Sequence, residues 1–367
     1  MPMAPVPRPG ILDIAPYVPG SHGVPGVAPR AVLSANENPL GPSPRAIAAY
    51  RAHADSLHRY PEGGSTGLRA ALAKHYGLDG RRIVCGNGSD ELIGLLVHAY
   101  AGPGDEVLYS QYGFLMYPIA ARANGAVPVA APERDFRADV DAILARVTPR
   151  TRIVFLANPN NPTGSYLARD EVRRLAEGLP RTCLFAIDAA YAEYVVRNDY
   201  SAGAELVDRH DNVVMTRTFS KIHGLAGLRV GWAYCPDGVA DVLNRIRGPF
   251  NVNAAAQAAA VAALEDVAFT DHTRTHTEVW RGWLGAQLRE LGLEVFPSVG
   301  NFLLVRFARA PGRDADAADA YLGRRGIIPR KVAAYGLPDC LRITIGTEAE
   351  TRALADALGD FLAGKPA

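Results

Sequence analysis

Val213-Val214-Met215-Thr216-Arg217-Thr218 reads as a β-rich run, and it leads straight into Phe219-Ser220-Lys221, a hydroxyl followed by an amine. Lys221 is one of four lysines (with Lys74, Lys331 and Lys365) in a chain that carries 39 Lys and Arg together. Arginine replaces lysine as a charge but not as an amine that loses its proton and attacks. A chain that uses Arg almost everywhere and Lys here points to such an amine; a chance surface lysine is the plain alternative. The run before Lys221 is the last of six of the same kind, at 82–85, 106–109, 127–130, 153–157, 183–187 and 213–218. Helix-like stretches at 91–100, 137–147 and 168–179 lie between them. Strands alternating with helices predict an α/β domain with a mostly parallel central sheet, the helices supplying the crossovers.

Around Gly248-Pro249-Phe250-Asn251 this alternation stops. Ala-rich helix follows from 254 to about 291, then a strand at 302–307, a helix near 315–323, a strand at 341–345 and a last helix over 348–362. The expected organisation is an arm at 1–30, a large domain at 31–250 and a smaller C-terminal α+β domain at 251–367. The 367 residues are 48% apolar and 21% charged with a net charge of +1. No basic field invites nucleic acid, and no apolar run approaches the ~20 residues that span a bilayer. Cys85, Cys183, Cys235 and Cys340 are far apart and read as reduced thiols of a cytoplasmic protein. His272 and His276 stand i, i+4 without a Glu between them, so no metal is expected.

In a parallel α/β sheet, ligands bind beyond the carboxyl ends of the strands. After 82–85 comes Gly86-Asn87-Gly88-Ser89-Asp90-Glu91, opening a helix. Free amides at a helix start favour a phosphate, although Ser89 or Asp90 also serve as plain caps. After 106–109 comes Tyr112, an aromatic placed to stack on a planar ring or to fill the core. After 153–157 comes Asn158-Pro159-Asn160-Asn161-Pro162-Thr163-Gly164, a rigid turn that presents Asn161. After 183–187 come Asp188 and Tyr191; a carboxylate there holds a proton on a ring nitrogen or caps a helix. After 213–218 come Ser220, Lys221 and Arg229, a set suited to a phosphate and a carbonyl. Together these parts suit pyridoxal 5′-phosphate.

The order N-P-x-N-P-T-G, D-x-x-Y, S-K and Arg-then-Gly resembles the fold-type I pyridoxal-phosphate aminotransferases. Asn36-Glu37-Asn38-Pro39-Leu40-Gly41-Pro42, Arg59-Tyr60-Pro61 and Leu341-Arg342-Ile343-Thr344-Ile345-Gly346-Thr347 look like the histidinol-phosphate subgroup of that family. The resemblance runs from about residue 11 to the end. It implies that Lys221 holds the cofactor covalently and shuttles a proton, that Asp188 faces the pyridine nitrogen, and that Tyr191 and Asn161 bond the ring oxygen. It further implies that Tyr112 stacks on the ring and that Ser89, Asp90, Ser220 and Arg229 cup the phosphate. Tyr60 would reach the phosphate of a neighbouring subunit, which implies a homodimer with shared sites. Arg342 would bind the substrate anion, with Arg330, Tyr17 and Asn36 nearby. His223 stands where the family leads one to expect Tyr.

The implied partners are an amino donor and a 2-oxoacid. The implied reaction is L-histidinol phosphate plus 2-oxoglutarate giving imidazole-acetol phosphate and L-glutamate, a step of histidine biosynthesis. An aromatic amino-acid aminotransferase, a lyase similar to threonine-phosphate decarboxylases, and a non-catalytic binding module are the rival expectations.

Overall fold

Seven strands surround the segment that carries Lys221: β1 (Ile83–Gly86), β2 (Glu106–Ser110), β3 (Val127–Ala131), β4 (Thr151–Ala157), β5 (Leu184–Asp188), β6 (Val213–Thr218) and β7 (Gly231–Tyr234). The computed structural model describes residues 6–367; residues 1–5 of the expected arm lie outside the described residues. The sheet order is β1-β7-β6-β5-β4-β2-β3. All strands are parallel except β7, which runs antiparallel to both β1 and β6. The mostly parallel α/β sheet is therefore as expected, with β7 added. Its Gly231-Trp232-Ala233-Tyr234 run is only four residues long and opens close after the Lys221 segment, so the alternation of strand and helix does not mark it as a separate strand.

Both faces of this sheet are covered, which is why its central strands read as unbroken apolar runs. Side chains alternate between two cores. Val154, Leu156, Phe185, Ile187 and Met215 enter one. Ile153, Phe155, Leu184, Ala186 and Val214 enter the other. The helix expected at 137–147 is shortened to Val140–Ala145, because Asp139 accepts from the Asp141 and Ala142 amides and caps it there.

A second, four-stranded antiparallel sheet holds β8 (Glu294–Val295), β9 (Phe302–Arg306), β10 (Arg330–Lys331) and β11 (Cys340–Thr344), in the order β8-β9-β11-β10. Helices α1 (Pro44–Arg51), α2 (Thr66–Tyr76), α3 (Ser89–Tyr100) and α4 (Met116–Ala123) belong to the first unit. Two segments pack across the expected boundaries. The Ala-rich helix α5 (Ala254–Glu265) packs on α1 and α2 and gives Ala256, Ala259, Ala260 and Ala263 to the first core. Its small side chains let three helices approach closely, so the division falls within the next helix, α6 (Val267–Glu290), whose Leu284 and Leu288 join the second core. At the other end, Ala31 and Leu33 also enter the second core, where Ala31–Val32 pairs in parallel with Ile327–Ile328.

One buried ion pair ties β6 to the turn after β5. Arg217 on β6 donates to Glu193 at 2.7 Å, both side chains being 8% exposed. The guanidinium also lies 4.6 Å from the Tyr76 ring centre and 5.7 Å from that of Trp232. Removing one member of such a pair strands the other charge in the core, whereas replacing both by apolar groups does not. Glu193→Ala should therefore destabilise the protein by about 3–5 kcal/mol in denaturant unfolding. Glu193→Leu combined with Arg217→Met should lose far less. Equal losses in the two variants would contradict this account.

Candidate active site

The carboxyl ends of β4, β5 and β6 open into a cavity of about 240 Å³ that also receives residues 34–37 and Arg342 from the second sheet. A larger, mostly apolar cleft of about 700 Å³ adjoins it and shares Tyr17, Pro19 and Arg330. That cleft holds neither Lys221 nor Asp188, so the chemistry belongs to the smaller space.

Asp188 ends β5 at the cavity floor and is buried. It accepts from the Tyr117 hydroxyl at 2.8 Å and from Thr216 at 3.4 Å. Burial pushes its carboxyl up to about 6. Lys221 lies past β6, half-buried, and donates to the Ala35 carbonyl at 3.1 Å. Burial first, and then the positive charge of Arg342, push its amine down to about 8. Its nitrogen sits 5.7 Å from the centre of the Tyr191 ring.

Asn36 joins the two units here. Its backbone is left-handed, at φ 54, which Asn tolerates better than most residues. Its amide donates to the Tyr191 hydroxyl at 2.9 Å, and its side-chain oxygen accepts from Thr344 of β11 at 3.0 Å. Arg342, also on β11, is buried and donates to Asn161 Oδ1 and to the Ser34 carbonyl. Its Nε has no partner. A buried guanidinium that meets only neutral oxygens is a cation waiting for an anion. The Asn158 side chain braces the turn that presents Asn161, bonding the backbone of Leu167 in both directions.

At the other end, Gly88 (φ 82) leads into α3, which begins with Ser89 and Asp90. Arg229 spans the opening, reaching Asp90 at 3.1 Å and Ser220 at 3.4 Å. A Cβ on Gly88 would stand 2.3 Å from the Arg229 Nη2 and push that guanidinium aside, and the positive φ of 82 itself favours glycine. Arg330 donates to the Val18 carbonyl, and the Tyr17 ring meets Phe114 edge-on at 6.4 Å, so the arm crosses the cavity mouth.

Lys221, Asp188, Tyr191, Ser89, Asp90, Asn161, Ser220, Arg229, Arg342, Arg330, Tyr17 and Asn36 thus all line one space. Tyr112 does not. A tight turn, closed by the Gly113 amide on Ser110, sends its ring onto Phe136 at 5.4 Å, and Phe114 lines the cavity instead. Tyr60 is also outside the space: it is 83% exposed and stacks on Phe250 at 4.7 Å. His223 is buried behind the site against Phe219, and its Nδ1 has no partner. Sequence reasoning missed Tyr117, Phe114 and Thr216. The first two stand among the aromatics of Tyr112-Gly113-Phe114-Leu115-Met116-Tyr117, where spacing alone does not say which ring turns inward.

Residues 30–358 match the family model described as aminotransferase class I and II. The chain is 62% identical to the histidinol-phosphate aminotransferase of Rhodospirillum centenum, over 98% of this chain and 99% of that one. It is 59% identical to the histidinol-phosphate aminotransferase of Paramagnetospirillum magneticum, with the same coverage. Among solved structures, histidinol-phosphate aminotransferase from Sinorhizobium meliloti in complex with pyridoxal-5′-phosphate is similar with a TM-score of 0.89 and 31% identity, covering 97% of each chain.

The raised Asp188 carboxyl has a measurable consequence. Its folded value of about 6 exceeds the reference of 3.8, so the folded state holds the proton more tightly than the unfolded state. Stability is therefore lost as pH rises from about 4 to about 6, by about 3 kcal/mol at 1.36 per unit. Asp188→Asn lacks this penalty. Freed of any ligand, that variant should be more stable than the parent at pH 8, and the gain should vanish below about pH 4. A variant less stable than the parent at pH 8 would contradict this cost.

Proposed function

The chain belongs to the class I and II aminotransferase family, and we propose that it transfers the amino group of L-histidinol phosphate to 2-oxoglutarate, giving imidazole-acetol phosphate and L-glutamate. The protein is a pyridoxal-phosphate-dependent transaminase. Near full-length likeness to named histidinol-phosphate aminotransferases carries the substrate assignment. The cavity suits the cofactor: a buried carboxylate on its floor, an amine with a lowered pKa on its wall, and the Gly88–Arg229 approach at its phosphate end.

When bound, the cofactor supplies an electron-withdrawing ring that accepts the electron pair left by the substrate's Cα–H bond. Asp188 would face the ring nitrogen and hold its proton, with Tyr117 and Thr216 fixing the carboxylate. Phe114, which lines the cavity where Tyr112 does not, would lie against the ring. Tyr191, Asn161 and Asn36 would orient the ring oxygen. Ser89, Asp90, Ser220 and Arg229 would hold the phosphate. Lys221 Nζ would hold the cofactor, and as a free amine it would take the proton from the substrate Cα. A base with a pKa of about 8 does this near neutral pH. Arg342 takes the substrate phosphate in one half-reaction and the glutamate carboxylate in the other, with Arg330 and Tyr17 at the mouth.

A homodimer is part of this proposal. Tyr60 and Phe250 form an exposed aromatic pair that suits cover by a second copy, from which Tyr60 reaches the partner's phosphate end. A fully active monomer by light scattering would contradict it. A cytoplasmic location also belongs to the proposal and fits four buried, free thiols. Among the described residues no helix is long and apolar enough to cross a membrane.

Purified protein with a panel of donors and 2-oxoglutarate tests the reaction: histidinol phosphate should give the highest kcat/KM. A preference for phenylalanine, or carbon dioxide release without a 2-oxoacid, would overturn the substrate. A charge-assisted hydrogen bond contributes roughly 1.5–3 kcal/mol, so Arg342→Ala should lower kcat/KM at least about tenfold for both histidinol phosphate and glutamate. The bound cofactor's absorbance should stay unchanged. A variant that loses neither substrate would place Arg342 outside the substrate site.

A further inference from the structure

We infer that Asn251 is a positioning residue for the phosphate end of the cavity, acting through Glu91 on the loop that opens α3. This rests on the reading that Ser89, Asp90, Ser220 and Arg229 hold the cofactor phosphate.

Asn251 follows Phe250 in the segment that leads to α5, outside the cavity. Its amide donates to Glu91 Oε2 at 2.8 Å and to the Cys85 carbonyl at the end of β1 at 3.1 Å. Its side-chain oxygen accepts from Arg247 at 3.1 Å. The same Glu91 oxygen accepts the Asn87 backbone N–H at 2.5 Å. A chain of hydrogen bonds therefore runs from Arg247 through Asn251 and Glu91 into the glycine loop.

This chain sorts the loop's amides. The Asn87 N–H is held by Glu91, and the Gly88 N–H is held by the Gly86 carbonyl at 2.8 Å. The Ser89 and Asp90 N–H groups sit in the first turn of α3, where helix geometry supplies no acceptor, so they are left for an anion. Glu91 is one residue further along and carries the wrong charge for a phosphate neighbour. Asn251 and the Asn87 N–H tether its carboxylate outward; without Asn251 that carboxylate gains freedom to approach and repel the phosphate.

The same segment touches the other parts of this end. Asn253 donates to the carbonyl of Leu228, the residue before Arg229, at 3.2 Å. Phe250 adopts a left-handed backbone at φ 59, unfavourable for a bulky side chain, and stacks on Tyr60. A residue in a strained conformation and three side-chain links thus fall within residues 250–253, and the links reach β1, α3 and the residue before Arg229.

Comparing pyridoxal phosphate with pyridoxal, which lacks the phosphate, isolates the effect. Full-length holoenzyme would be resolved and re-titrated with each compound, using Asn251→Ala, Asn251→Asp, Glu91→Gln and, as reference, Arg229→Ala. Asn251→Ala should raise the Kd for pyridoxal phosphate about five- to tenfold, with the Kd for pyridoxal changed less than about twofold. Asn251→Asp, which keeps the shape but sets a like charge beside Glu91, should lose more. Glu91→Gln keeps an oxygen for both donors and should stay near the parent. If both Asn251 variants shift the two Kd values together, or only lower Tm, Asn251 is merely structural and the inference is overturned. If Arg229→Ala also leaves the discrimination intact, the phosphate-end reading itself fails. If Arg229→Ala loses the discrimination while the Asn251 variants keep it, only the inference about Asn251 fails.

Discussion

A carboxylate buried at the end of a central strand is the constraint around which this protein is arranged. Asp188 sits where β5 meets the cavity, with only Tyr117 and Thr216 as side-chain donors. Burial, with the negative charge of Asp90 beside it, raises its pKa to about 6 despite the hydrogen bonds it accepts. Such a group does not serve the stability of the protein alone. It becomes favourable when a cation or a ring N–H faces it. The sheet order places β4 and β6 on either side of β5, so Asn161 and Lys221 arrive beside that carboxylate from the two neighbouring strands.

The second constraint is that the cavity lies where two cores meet. Asn36 holds Tyr191 on one side and Thr344 on the other. Arg342 crosses the same junction to Asn161. The arm adds a third contact through Arg330 and Val18. An anion on Arg342 therefore engages both units at once, and one arginine that meets only neutral oxygens suits two chemically different anions in turn.

Much of this is legible in the chain. The parallel strands announce themselves because burial on both faces leaves runs such as Ile153 to Ala157 apolar at every position. The residue after each strand then follows from topology, which is how Asp188, Asn161 and Lys221 are found without coordinates. Other features are not local. Whether Tyr112 or Phe114 turns inward depends on a turn closed between Ser110 and Gly113. The place of Ala254–Glu265 depends on helices Pro44–Arg51 and Thr66–Tyr76, far earlier in the chain. The burial of Tyr117 against Asp188 pairs residues 71 apart, and no pattern near either one encodes it. Tyr60 on its own subunit is an exposed aromatic, and only a second copy would give it a phosphate to meet.

The central claim, that Lys221 in this cavity carries the cofactor, is tested most directly by reducing the purified enzyme with borohydride and mapping its tryptic peptides. Modified lysine resists trypsin, and arginines at 217 and 229 bound the segment. The account predicts a single peptide, residues 218–229, uncleaved at Lys221 and heavier by one reduced pyridoxyl phosphate. Cleavage after Lys221, with the added mass on the peptide of Lys74, Lys331 or Lys365, would contradict it.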